Sequence, residues 1–268
     1  MTDARAHRLD PVVTGTVVIG GALVAWLVAI RQMRGMDGGP GADLGTLGWY
    51  VGVWVTMMAA MMLPSALPMV LLYDRIAGRR RPGRLPAVST TLFVASYLGV
   101  WTVYGLAAYG IYRGIGALHL GFLEWSRGGA YTAGALIVVA GIYELTPLKD
   151  VCLRHCRSPL HFVVGGWKGG PFGAVRMGAA HGSYCVGCCA GLMLLLFALG
   201  VMSLFWMALV AVLIFAQKLL PRGETFRFGF AAAFVALGLV VAISPDRVPH
   251  LNQPGSGQMD MKMGLRSG

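Results

Sequence analysis

Four side chains that bind soft metals fall within nine residues of this sequence, in the run His181-Gly-Ser-Tyr-Cys-Val-Gly-Cys-Cys189. On a helix, His181, Cys185 and Cys189 recur at i, i+4 spacing and share one face, and Cys188 lies i+7 from His181. Imidazole and thiolate together make a site for Cu(I) or Zn(II), and thiolates favour the softer ion. Buried cysteines also serve as small apolar filler, but four such residues at this density point to a metal. A second group, Met57, Met58, Met61 and Met62, sits between Trp54 and Pro64 as two i, i+4 pairs on adjacent faces. Thioethers are neutral and poor ligands for hard ions, so a methionine cluster that binds metal selects Cu(I).

A third group, Cys152, His155 and Cys156, stands among Lys149, Arg154 and Arg157. Nearby positive charge favours thiolate, which suits a relay where copper is collected before it reaches the first two groups, and a structural thiol pair at a helix end is the equal alternative. Glu144 is the acidic residue that falls inside an apolar stretch. It is a candidate to counter a bound cation, relay a proton, pair with Lys149 or Arg176, or simply reach water near the interface. Tyr143, Tyr184, Gln217 and Lys218 are candidate polar groups to support the ligands.

The elements that must position these residues are apolar. Hydrophobic residues make up 56% of the 268 and charged residues 12%, and mean hydropathy is +0.67. Ordinary soluble domains carry about 25% charged residues, so a water-covered surface is not available to this chain. Seven apolar stretches stand out, at 11–30, 47–72, 88–111, 130–146, 172–199, 201–217 and 226–243. Unbroken helix from 186 to 215 would rise about 45 Å, more than a bilayer core needs, so a turn is expected near 200–203. The fold class predicted is therefore an all-α polytopic membrane protein of about seven transmembrane helices. Residues 1–243 form one membrane domain and 244–268 a flexible tail, in which Met259, Met261 and Met263 lie among small residues.

The net charge of +11 reads as topology rather than as affinity for nucleic acid. Basic residues gather in 73–87, 147–171 and 218–227, which fall on one side of a seven-span chain, and with Arg176 and the N-terminal tail that side holds 15 of the 22. The positive-inside rule then places the N-terminus in the cytoplasm and the C-terminus outside, in a cell inner (plasma) membrane. No cleaved signal peptide is expected, because no small-residue cleavage pattern follows the first apolar run.

The sequence resembles an uncharacterised bacterial family of predicted metal-binding integral membrane proteins, DUF2182. The resemblance is carried by Trp54 to Pro64 with Pro68, by Tyr143 to Pro159, by Trp167, and by His181 to Cys189. It continues through Leu192-Met193, Gly200-Val-Met202, Trp206-Met207 and Lys218, and spans roughly 45–240. Two departures are Ala190, where the family has tryptophan after the paired cysteines, and Gln217, where it has glutamate before Lys218. The resemblance implies metal binding and a membrane fold.

These readings converge on a Cu(I)-binding integral membrane protein acting in copper transport, handling or delivery, with zinc as the less favoured ion. The methionine quartet would face His181, Cys185, Cys188 and Cys189 across a helix interface. The expected partners are the lipid bilayer and a membrane or periplasmic metalloprotein, with no nucleic acid. No nucleotide-binding fingerprint occurs, so this chain alone is not expected to pump with ATP. The alternatives are a membrane-bound metal-dependent oxidoreductase subunit, disfavoured by the lack of a histidine cluster, and a structural or assembly subunit of a membrane complex.

Overall fold

The computed structural model describes residues 11–34, 44–80, 86–117, 129–167, 171–201, 203–219, 224–245 and 248. The tail with Met259, Met261 and Met263 lies outside them. The described elements are helices: α1 (Pro11–Met33), α2 (Leu47–Arg80), α3 (Pro86–Ala117), α4 (Ala130–Glu144), α5 (Pro147–Arg157), α6 (Pro159–Gly165), α7 (Pro171–Leu199), α8 (Leu204–Leu219) and α9 (Glu224–Ile243). Four of them, α1, α2, α3 and α7, are long and apolar enough to cross a membrane. The shorter α4 and α8, at 15 and 16 residues, rise about 22–24 Å, less than the roughly 30 Å of hydrocarbon in a bilayer. Helix length therefore accounts for four crossings, and the seven expected from hydropathy draw on three shorter apolar helices as well.

The outside of the bundle is aliphatic. Val12, Val17, Leu23 and Leu27 on α1, Val103 on α3, Val212 on α8 and Ile243 on α9 all face outward. Thiols, an imidazole, a carboxylate and an ammonium are inside. That inversion of the usual pattern fits lipid as the solvent, and the chain is an all-α membrane protein.

Helix α7 is the most enclosed of the four long helices. It packs on α3, α5, α4 and α8, whereas α2 packs on α1, α3, α8 and α6. The close approach of α3 to α7 needs glycine at 178, where a Cβ would collide with Ser96 Oγ and the Phe93 carbonyl. One turn on, a Cβ at 182 would meet Val100 Cβ at 3.0 Å. Small residues permit such contacts between membrane helices. The expected turn between α7 and α8 forms at Gly200, whose φ of 115° belongs to glycine. Its carbonyl accepts the Ser203 amide at 3.1 Å.

Two buried polar clusters pin the helices. Asp74, which the hydropathy reading leaves in a loop, is buried in α2 and accepts hydrogen bonds from Thr14 Oγ1 on α1 (3.0 Å) and Thr90 Oγ1 on α3 (2.7 Å). Glu144, at the end of α4, is ion-paired with Lys149 of α5, both nearly inaccessible to solvent. Gln217 of α8 completes the cluster, accepting from Lys149 Nζ at 2.8 Å and donating to Glu144 Oε2 at 3.0 Å. Thr146 caps α5 between the charged partners, its Oγ1 accepting the Lys149 amide. Of the roles open to Glu144 in the sequence, pairing with Lys149 is the one observed.

Two outcomes follow for stability. Lys149→Met leaves the Glu144 carboxylate buried without its partner and should cost about 3–5 kcal/mol. The double variant Glu144→Met/Lys149→Met should recover most of that loss in detergent unfolding curves. Gly178→Leu overpacks the α3–α7 contact and should cost about 1–3 kcal/mol, read as a lowered midpoint in the same measurement.

Candidate metal centre

Helix α7 starts at Pro171, where a proline fits because the first helical N–H has no partner in any case, and runs unbroken through the cysteine segment. The helix carries His181, Cys185, Cys188 and Cys189, and among the described residues the three cysteines form one group of ligand atoms that does not include the His181 nitrogens. Cys185, Cys188 and Cys189 are buried, and their Sγ atoms all lie within 4.8 Å of one another. Cys188 Sγ is 3.5 Å from Cys189 Sγ. Two sulfurs bound at about 2.3 Å to one tetrahedral ion are roughly 3.8 Å apart by geometry, so the thiols already stand near the spacing a shared metal requires. All five cysteines are free thiols.

The trio from α5 is divided by the fold. Cys156 Sγ lies 3.7 Å from Cys188 Sγ, so this thiol borders the α7 cluster through Cys188. Cys152 turns toward Gly187, where a Cβ would come within 2.6 Å of its sulfur; burial pushes its thiol pKa up. His155 stacks flat on Tyr184 with ring centroids 4.2 Å apart, and its Nδ1 is 2.9 Å from the Val151 carbonyl. Tyr143 reaches α7 as well, its hydroxyl donating to the Gly187 carbonyl at 2.5 Å.

His181 sits one turn before Cys185, 2% exposed, and neither ring nitrogen has a hydrogen-bond partner. Phe93 and Tyr97 stack on its ring, and Phe162 meets it edge-on. A buried imidazole with two unmet nitrogens is costly, and a soft metal ion is one partner that would satisfy it. Two polar neighbours touch the cluster directly: Tyr97, which the sequence does not single out, and Lys218, which it marks as a supporting polar group. Tyr97 Oη lies 3.1 Å from Cys185 Sγ. Lys218, counted in the sequence as a basic loop residue, donates from Nζ to Cys185 Sγ at 3.2 Å and to Ser65 Oγ at 2.9 Å.

Met57, Met58, Met61 and Met62 are each at most 2% exposed and share one continuous core with the cysteines. The methionine helix reaches α7 through particular side chains. Trp54 stacks on Phe197 at 5.7 Å, and Ser65, hydrogen-bonded to the Met62 carbonyl, meets Lys218 and through it Cys185. Pro64 and Pro68 lie inside α2, which continues to Arg80. The donors present, four thiols with a free imidazole, thus fit a soft, thiophilic ion.

No curated protein and no solved structure matches the chain. A family model does, over residues 51–241: PpoB2, described as copper chaperone. This match overturns the resemblance to DUF2182, since the stretch that bears the paired motifs is the stretch that PpoB2 accounts for. Residues 51–241 include the methionine segment, the α5 thiols, His181 with the cysteine cluster, and Lys218, and with that coverage the chain belongs to the PpoB2 family of copper chaperones.

Proposed function

We propose that this copper-handling membrane protein holds its cargo as Cu(I) on Cys156, Cys185, Cys188 and Cys189, with His181 as a further ligand. The observation that carries this reading is the convergence of three buried thiols within 4.8 Å next to a buried imidazole without a partner. Cu(I) accepts two or three soft donors and no hard ones. A cluster that offers several thiols lets it change ligands without becoming fully desolvated between them. Met57, Met58, Met61 and Met62 form the neutral leg of the route, along which copper is handed to a membrane or periplasmic metalloprotein. Glu144 acts there by holding α4, α5 and α8 together.

The chain crosses a cell inner membrane seven times, with its N-terminus in the cytoplasm and its C-terminus outside. The distribution of basic residues supports this orientation, and α4, α8 and α9 supply the three short crossings. Residues 1–243 act as one membrane domain.

Anaerobic purification with copper and zinc both supplied, followed by elemental analysis, tests the copper site. The wild-type chain should retain copper in preference to zinc. Cys185→Ser/Cys188→Ser/Cys189→Ser should retain neither while eluting as the same species in detergent. His181→Gln should still bind, with affinity lower by on the order of tenfold, which corresponds to about 1.4 kcal/mol. Wild-type protein that retains zinc alone, or no metal, would overturn the Cu(I) site.

A further inference from the structure

The protein surface over the metal centre carries two cavities, of about 430 and 400 Å³, both within the range that holds small organic ligands. They share His155 and Phe162. Arg154 lines the first, and Arg176, Met177 and Tyr184 line the second. Among the described residues no acidic side chain lines either one, although Asp150 pairs with Arg154 from the side at 3.0 Å. The His155 Nδ1 contact with the Val151 carbonyl favours the tautomer that leaves a lone pair on Nε2. Beneath the shared wall, Phe162 packs against the unpartnered ring of His181 at 5.7 Å and against Tyr184 at 6.1 Å. One aromatic ring thus stands between the open cavities and the buried imidazole.

Resting on the copper site proposed above, we infer that these two neighbouring cavities, which share His155 and Phe162, are a loading port for Cu(I) delivered as a complex with a small anionic thiol. The arginines take the carrier's carboxylates, and His155 and Met177 offer soft donors where the metal arrives. Phe162 moves aside to let copper through to His181 and the thiols. The step is ligand exchange without redox change. The Cu–S bonds to the carrier break and Cu–N and Cu–S bonds to the protein form. A proton released by a protein thiol passes to the departing carrier thiolate. An anionic lipid headgroup offers the same charge to Arg154 and Arg176, but it brings nothing for His155, Met177 or the His181 beneath them to bind.

The experiment compares two donors on full-length protein in phosphatidylcholine vesicles: Cu(I) with reduced glutathione, and Cu(I) with cysteamine, a thiol that lacks carboxylates. Loading is followed by the rise of thiolate-to-copper charge-transfer absorbance in wild type, Arg176→Gln and His155→Gln. Arg176→Gln should slow loading from glutathione by about tenfold and from cysteamine by less than about twofold, the mark of an electrostatic contribution to capture. His155→Gln should slow both, and final copper content should be the same in all three. Equal slowing of both donors by Arg176→Gln, or none, would overturn the port while leaving the copper site standing. An effect of Arg176→Gln that shows only when phosphatidylglycerol is added would assign the arginines to lipid and overturn it too. Wild type that loads from neither donor removes both the port and the site beneath it.

Discussion

A thiol centre buried among apolar helices depends on compensation from within, because the cost of its enclosed polar atoms must be met by neighbouring groups. Here one ammonium bears much of that role. Lys218 lies in the last turn of α8, where the helix dipole favours a cation. Its Nζ is held between Cys185 Sγ on α7 and Ser65 Oγ on α2. A single side chain thereby joins the three helices that carry the cysteines, the methionines and itself. Without it, Cys185 would keep, among the described residues, the Tyr97 hydroxyl and its fellow thiols as polar side-chain company. The methionine helix would lose its polar link to the centre.

The neighbouring residue extends the same joint in another direction. Successive residues on a helix point about 100° apart, so Gln217 and Lys218 leave α8 toward different partners. Gln217 enters the Glu144–Lys149 pair with its amide, and its carbonyl accepts from the Arg157 guanidinium. Arg157 follows Cys156 directly, so the contact that anchors the end of α5 also sets the thiol that approaches Cys188. The buried ion pair and the metal centre are therefore two ends of one polar arrangement. A change that loosens the pair should be felt in where Cys156 sits.

What the sequence made legible was local in origin. The i, i+4 repeat of His181, Cys185 and Cys189 translated into a shared face because it needs only helix geometry, and the turn at Gly200 needs only a glycine between two apolar runs that are together too long. Cys156 was readable as a metal-type residue but not as a neighbour of the α7 cluster. That contact spans 32 positions and depends on how α5 folds back after Pro147. Lys218 was readable as a supporting polar group while also counted with the loop charges, but its particular partners, 33 and 153 positions away, were not. Tyr97 offered no signal, being one aromatic among many. The same limit explains Asp74, whose partners Thr14 and Thr90 lie 60 and 16 positions away.

The arrangement around His181 carries the chemistry one step further. Its ring is enclosed by Phe93, Tyr97 and Phe162, and neither nitrogen has a protein hydrogen-bond partner, yet it stands one helical turn from Cys185. An imidazole meant only to pack would be replaced at less cost by another aromatic ring, which has no polar nitrogen to leave unmet. A ligand meant to hold copper permanently would be expected to have its second nitrogen fixed by a carboxylate or carbonyl, which orients the ring and raises its basicity. His181 has no such support. On the reading proposed above, that makes it a transient ligand: it accepts the ion at the edge of the cluster, and the thiols, more numerous and softer, draw the ion onward.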